Sequence, residues 1–218
     1  TKTIRRKIIQ DLLQDGEIVD VQIKEDNRHS RFYKSRRLIY SRKSASMLSL
    51  LSLSNAISHN FTAEVLLRNA SGFWDAQRSS ESLLGWVNKL DIPTNGLRIF
   101  DGSGLSRENR VTTETLSALL LRMSNHTLYP YYESSMAIAG TRGTMRSFYL
   151  NTPLAGKFIG KTGTLEGVRA VSGIVKTNTG NVFASIITYD TDRPQEKTGE
   201  ILINILRLSN CPSLILSN

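Results

Sequence analysis

The tripeptide Lys-Thr-Gly occurs twice in this sequence, at residues 161–163 and 197–199. A lysine ammonium beside a threonine hydroxyl can make charge-assisted hydrogen bonds to an anion, and the glycine lets a ligand approach the backbone. Three residues are too few to identify a site, so the flanking residues must distinguish the copies. The first copy follows an alternating, strand-like segment. The second opens an amphipathic helical segment, in which we expect Lys197 to face solvent.

Other sites that these residues could form are disfavoured by spacing. The segment "GKFIGKT" is one position short of a phosphate-binding P-loop, because Ala155 stands where that motif needs glycine, and a strand-like segment follows instead of a helix. The segment "DGSGLS" lacks the G-x-S-x-G form of a nucleophile elbow. No metal site is predicted, because the three histidines are far apart in the sequence: His29, His59 and His126.

A Ser-x-Asn motif, residues 58–60, lies upstream of the first Lys-Thr-Gly and just before an apolar helical segment. Taken alone, its serine and asparagine could simply cap that helix. The motifs around it, "AEVLLR" at 63–68 and "DGSGLSR" at 101–107, give a specific order. From about residue 37 to residue 208 the chain resembles the low-molecular-mass class C penicillin-binding proteins, which are D-Ala-D-Ala carboxypeptidases and endopeptidases.

One motif of that family, the Ser-x-x-Lys nucleophile, does not occur in the sequence. None of the ten lysines has a serine three positions before it. In the family this motif lies far upstream of Ser-x-Asn, so we interpret the chain as the C-terminal part of a longer enzyme. The alternative is a catalytically inactive relative that binds peptidoglycan or acts as a scaffold.

The resemblance implies serine-type acyl transfer from a peptidoglycan stem peptide ending in D-Ala-D-Ala, with no cofactor and no metal. It assigns three catalytic residues to this chain. Ser58 would relay a proton to the departing amine, and Asn60 would hold the substrate backbone or orient a lysine. Lys161 would be a cation beside the nucleophile's lysine, which lowers the pKa of that lysine.

The resemblance also implies how the substrate is bound. Thr162, with Lys161, would contact the terminal carboxylate, and Gly163 would let the substrate approach the strand. The backbone N–H of Thr164 would form half of an oxyanion hole, and losing one such donor costs on the order of a hundredfold to a thousandfold in rate. The residues expected to flank the pocket are Leu105, Arg107 and Leu165.

The elements that must position these residues follow from hydrophobic periodicity. Helical spacing prevails after residue 44, and we expect Met47, Leu50 and Leu51 to point inward from the first of these helices. A period of two then predicts three strands, "GKFIGKTGT", "VRAVSGIVKT" and "NVFASIITYD", with a tight turn at "NTGN" and a final helix over 195–208.

This pattern predicts a mixed α+β fold, an antiparallel sheet with helices packed on it. The resemblance implies that this chain forms the C-terminal portion of the penicillin-binding/β-lactamase-like transpeptidase fold. We assign residues 1–36 to the end of an inserted upstream region and residues 37–218 to the C-terminal part of the catalytic domain.

Composition and charge limit the classes of partner that the sequence predicts. The formal net charge is +9, and residues 1–43 hold twelve Lys and Arg against six Asp and Glu. No nucleic-acid motif accompanies this basic stretch, so no nucleic-acid partner is predicted. No run of about 18 apolar residues predicts a membrane span, and with Cys211 as the one cysteine there is no intrachain disulfide.

The resemblance extends to location and partners. It implies a periplasmic or otherwise extracytoplasmic protein, although the first residues lack the apolar stretch of a signal peptide. It implies β-lactams as acylating inhibitors of the intact enzyme. It also leaves the sheet open to pairing with the missing N-terminal part or with another copy.

Overall fold

The computed structural model describes residues 44–210 of the chain, with helices first, then a sheet, then one long helix. The helices are α1 (Met47–Asn55), α2 (Asn60–Ser71), α3 (Ala76–Val87), α4 (Thr113–Ser124), α5 (Tyr129–Ser134) and α6 (Pro194–Asn210). The strands are β1 (Ala137–Ile138), β2 (Phe158–Leu165), β3 (Val168–Thr177) and β4 (Gly180–Tyr189), and a 3-10 turn covers Gly143–Met145. The assignment of residues 1–36 lies outside the described residues.

The sheet is an antiparallel meander in the order β1-β2-β3-β4, which confirms the predicted α+β class and its three long strands. The register pairs Lys161 with Ser172 and Thr162 with Val171. Because side chains alternate between the faces of a strand, Lys161 and Thr162 leave β2 on opposite faces. Sequence periodicity missed α5 and β1, which have six and two residues, too few to establish a period.

The sheet is covered on both faces by helices. On one face α6 contacts β3 and β4, and on the other α4 contacts the same two strands. Burying each large apolar side chain contributes roughly 1.5–3 kcal/mol, so the core against α6 holds the fold together. Its buried members include Met145, Leu154, Phe158, Val175, Leu202 and Leu206.

One expectation for α1 is wrong. Met47 is 61% exposed, whereas Leu50 and Leu51 are half-buried as expected. Periodicity places these residues on one stripe of a helix, but Met47 is the first residue of α1. At that end no other described element covers the stripe, so the side chain stays in solvent.

The second Lys-Thr-Gly copy has a packing role in the first turns of α6. Lys197 is exposed, as predicted, and Thr198 is buried. The hydroxyl groups of Thr198 and Tyr149 lie 2.9 Å apart in a buried hydrogen bond. Gly199 lies against the same ring, where an added Cβ would come within 2.9 Å of a Tyr149 ring carbon. This copy therefore anchors a helix to the core.

The glycine-rich loop after α3 is fastened to α2 by one carboxylate. Glu64 Oε1 accepts hydrogen bonds from the backbone N–H groups of Gly102, at 2.9 Å, and Ser103, at 3.0 Å. A Cβ on Gly102 would lie 3.0 Å from Leu67 Cβ, so the loop packs closely on the helix. Within the loop, Asp101 accepts from further backbone N–H groups. The "AEVLLR" segment therefore positions the "DGSGLSR" loop.

Among residues 44–210, no helix is both long and apolar enough to cross a bilayer.

We predict that Thr198→Val destabilises the protein by about 1–3 kcal/mol, because it leaves the buried Tyr149 hydroxyl without its side-chain partner. Lys197→Ala is the matched control and should change stability by less than about 0.5 kcal/mol, since Lys197 is exposed. Urea unfolding measures both. Equal losses would contradict the packing role of Thr198.

We also predict that Glu64→Leu speeds amide hydrogen exchange at Gly102 and Ser103, because both N–H groups lose their acceptor. Glu64→Gln retains an acceptor oxygen and should preserve most of the protection. Glu81→Leu, an exposed glutamate on α3, is the control. Unchanged exchange in Glu64→Leu would show that this carboxylate does not fix the loop.

Candidate active site

The closest link between the two predicted catalytic motifs is a hydrogen bond between residues 103 positions apart. The Lys161 ammonium donates to Ser58 Oγ at 2.7 Å and to the carbonyl oxygen of Thr162 at the same distance. Ser58 has φ +62°, a backbone conformation that is strained for a residue with a side chain. Such strain often marks a functional position, because the surrounding structure must hold it in place.

The turn between α1 and α2 explains why Ser58 faces the lysine. His59 is the N-cap of α2, and its Nδ1 accepts from the backbone N–H of Thr62 at 3.3 Å. The possibility that Ser58 or Asn60 caps the helix is therefore wrong. His59, the middle residue of the Ser-x-Asn motif, caps the helix, so the side chains of Ser58 and Asn60 can make other contacts.

A corner after β1 joins the two halves of the site. The backbone N–H of Thr144 donates to the carbonyl oxygen of Ala56 at 2.8 Å. Thr162 Oγ1 donates to Thr144 Oγ1 at 2.9 Å. Gly143 has φ +70°, and a Cβ there would lie 2.3 Å from the Ala56 carbonyl oxygen, so glycine is required at this corner. No pattern in the sequence indicated this contact.

A cleft of about 350 Å³ collects most of the predicted site residues. Its polar wall carries five of them: Ser58, Asn60, Lys161, Thr162 and Gly163. Its apolar wall comes from α4 and from the segment around α5: Leu116, Leu119, Leu120, Tyr132 and Met136. Motifs in the sequence predicted the residues of the polar wall. The apolar wall was not predicted, because apolar residues at helical spacing look the same in the sequence whether they line a cleft or fill a core.

The remaining predicted residues lie at the margin or outside the cleft. Thr164 is exposed and lines a second cavity, about 700 Å³, that shares Thr162 and Gly163 with the cleft. Arg107 forms an exposed ion pair with Glu166, 3.0 Å apart, which ties the glycine-rich loop to the β2–β3 turn. The predicted residues that line neither cavity are Leu105, Arg107 and Leu165. Their flanking role stays a prediction.

Polar residues outside the predicted site also line the cleft, among them Asn55 and Ser103. Asn55 Nδ2 donates to Ser135 Oγ at 2.8 Å, which fixes the end of α1 to the end of α5. Ser103 brings the glycine-rich loop to the cleft wall. Ser103 stands inside the "DGSGLSR" motif, and Asn55 lies three positions before Ser58. The motifs indicated this part of the chain but not these two contacts.

The electrostatics of the site centre on Lys161. Burial lowers the pKa of its ammonium from the ordinary value, because leaving water disfavours the charged form. Its two hydrogen-bond acceptors are a hydroxyl and a carbonyl, both uncharged. An anionic ligand entering the cleft would supply a counter-charge that neither of these two contacts provides.

No trio of histidine, cysteine or carboxylate side chains close enough to hold a metal ion occurs in residues 44–210.

Solved structures share this fold. The chain matches penicillin-binding protein 4 (dacB) from Haemophilus influenzae with a TM-score of 0.64 at 24% identity, covering 74% of this chain and 39% of that one. It matches an extended-spectrum β-lactamase, TLA-1, with a TM-score of 0.57 at 17% identity, covering 76% of this chain and 64% of that one. The predicted penicillin-binding/β-lactamase-like fold is confirmed.

Curated relatives agree in sequence. The chain is 29% identical over 212 residues to "Penicillin-sensitive carboxypeptidase A" of Dictyostelium discoideum, covering 90% of this chain and 40% of the relative. It is 32% identical over 166 residues to "Carboxypeptidase DacB" of Mycolicibacterium smegmatis, covering 71% of this chain and 36% of the relative. The chain thus spans less than half the length of these relatives.

A family model covers nearly the whole chain. The model of the D-Ala-D-Ala carboxypeptidase 3 (S13) family matches residues 1–207. The order of motifs, the contact between Ser58 and Lys161, the fold and this match agree. The chain belongs to the D-Ala-D-Ala carboxypeptidase 3 (S13) family.

Proposed function

We propose that this chain supplies part of the active site of a serine-type D-Ala-D-Ala carboxypeptidase that acts on peptidoglycan stem peptides. The observation that carries the proposal is the 2.7 Å hydrogen bond between Lys161 and Ser58, which joins Lys-Thr-Gly and Ser-x-Asn at one cleft. Family membership supports the same activity. The sequence contains no Ser-x-x-Lys, so the nucleophile of this reaction comes from a segment that the 218 residues do not include.

The proposed reaction has two steps. The nucleophilic serine attacks the carbonyl between the two D-alanines, the terminal D-alanine leaves as an amine, and water then hydrolyses the acyl-enzyme. The lysine of the Ser-x-x-Lys segment takes the proton of the attacking serine. Ser58 relays a proton from that lysine to the departing amine as the C–N bond breaks, since its hydroxyl both donates and accepts hydrogen bonds. The Lys161 ammonium at 2.7 Å holds that hydroxyl in place and stabilises negative charge that develops nearby.

Substrate binding uses the strand edge. Lys161 and Thr162 contact the terminal carboxylate, which lets the site require a free chain end. Gly163 is exposed and offers backbone without a side chain in the way. The Thr164 N–H forms half of the oxyanion hole, and Asn60 holds the substrate backbone. The flanks of the pocket are Leu105, Arg107 and Leu165.

A second candidate is a catalytically inactive relative that binds peptidoglycan. The absence of Ser-x-x-Lys from the sequence is the specific observation in its favour. The two candidates differ in one property, because both bind a stem peptide and only the enzyme forms an acyl ester.

The proposed partners follow from this activity. β-Lactams acylate the intact enzyme, and the protein works outside the cytoplasm, where peptidoglycan lies. The outer edge of β4 has no strand partner among residues 44–210. Because an open edge can accept another strand, we propose that the nucleophile-bearing part, or another copy, pairs there.

We predict that this chain alone does not label with a fluorescent penicillin, and that the protein that also carries the Ser-x-x-Lys segment does. Removing the nucleophile of a serine hydrolase costs on the order of a millionfold in turnover. Gel fluorescence after incubation measures both, with Ser58→Ala as a slowed control. A protein with intact Ser-x-x-Lys that stays unlabelled would support the inactive relative.

We predict that kcat/KM for a D-Ala-D-Ala peptide falls at alkaline pH below the range in which an ordinary lysine, with pKa about 10.4, loses its proton. Burial lowers the pKa of Lys161, so the protonated form that binds carboxylate is lost as pH rises through that lowered value. Lys161→Arg keeps its charge and should move the alkaline limb upward. An alkaline limb at the same pH in both proteins would exclude Lys161 as its source.

A further inference from the structure

Thr144 lies in the 3-10 turn Gly143–Met145, and its side chain contacts the hydroxyl that the proposed function assigns to binding the substrate carboxylate. Thr162 Oγ1 donates to Thr144 Oγ1 at 2.9 Å. In this arrangement the Thr162 proton points at Thr144. A carboxylate accepts hydrogen bonds and does not donate them, so Thr162 must redirect its proton to bind one.

A hydroxyl partner makes that change possible without leaving an unmade hydrogen bond. Thr144 accepts from Thr162 while the site is empty. When a carboxylate takes the Thr162 proton, the Thr144 hydroxyl can turn and donate to Thr162 instead, because a hydroxyl is both donor and acceptor. The pair therefore stays hydrogen-bonded in both states. A side chain that could only accept would lose the hydrogen bond in the second state, and a side chain without a polar group would make it in neither state.

The position of Thr144 is fixed independently of Thr162. Its backbone N–H donates to the carbonyl oxygen of Ala56 at 2.8 Å. Ala56 lies two residues before Ser58 in the sequence. The residue before it, Gly143, lies so close to the same carbonyl that an added Cβ would be 2.3 Å away. Thr144 is thus held to the Ser58 turn by its backbone and to the Lys-Thr-Gly strand by its side chain.

We propose that Thr144 is a positioning residue that sets the direction of the Thr162 hydroxyl, and through it the requirement for a free terminal carboxylate. The proposal rests on the proposed function, because it assumes that Thr162 binds that carboxylate. Thr144 itself touches no substrate in this account. Its hydroxyl acts by holding the Thr162 oxygen in place and by exchanging donor and acceptor roles with it.

The test compares two substrates, an acetylated lysyl-D-Ala-D-Ala peptide and its C-terminal amide, in the protein that carries the Ser-x-x-Lys segment. Thr144→Val keeps the side-chain shape and removes the hydroxyl. It should lower kcat/KM for the acid about fivefold, the effect of losing one hydrogen bond, and leave the amide unchanged. Thr144→Ser should restore the acid preference. Thr141→Val, an exposed threonine whose hydroxyl contacts only a backbone carbonyl, is the matched control.

A purely structural role for Thr144 predicts equal losses on both substrates and no rescue by serine, and that result would overturn the proposal. A second measurement separates it from the proposed function. In protein with ¹³C-labelled threonine methyl groups, the acid should shift the signals of Thr162 and Thr144, and Thr144→Val should abolish the Thr162 shift. If the acid binds and causes these shifts but is not hydrolysed, the proposed carboxypeptidase activity is refuted and the proposed role of Thr144 is supported. Shifts that are equal for acid and amide would reject that role.

Discussion

The architecture of the site depends on one contact, the hydrogen bond of Lys161 to Ser58. The lysine is fixed by the register of β2 against β3, and the serine by a tight turn between two helices. The two residues are 103 positions apart in the sequence, so the tertiary fold is what brings them into contact. The corner at Gly143 and Thr144 links the two sides by hydrogen bonds to Ala56 and Thr162, so the distance across the cleft is set by more than one bond.

The site holds features that work against stability. Burial disfavours the charged form of Lys161, and Ser58 stands in a strained backbone conformation. The second Lys-Thr-Gly copy shows the contrast, since Lys197 is exposed and Thr198 completes a buried hydrogen bond with Tyr149. The same tripeptide serves ligand chemistry at a strand edge in our proposal and packing at a helix start. At the first copy, the buried Lys161 donates to a serine whose backbone is strained.

Sequence reasoning succeeded where a local pattern controls the outcome. Alternation predicted the three strands. A local pattern also accounts for the start of α4, where the hydroxyl of the N-cap residue Thr112 accepts from the backbone N–H of Thr115. It failed where a contact is tertiary. His59 takes the capping role from its neighbours, Met47 lacks a covering element, and Thr144 reaches Thr162 through a fold that no spacing encodes. The polar wall of the cleft was therefore predictable from the order of the motifs, whereas the tertiary contacts that hold its residues in place were not.

The central claim is that Ser58 and Lys161 act as one unit in acyl transfer. A double-mutant cycle with Ser58→Ala, Lys161→Met and the double variant, read out as the acylation rate constant for penicillin, tests it most directly. The account predicts strong non-additivity, with the double variant about as slow as the slower single variant, as for residues that act together in other hydrolases. Losses that multiply independently would contradict it, because they would show that the 2.7 Å contact between the two side chains carries no shared function.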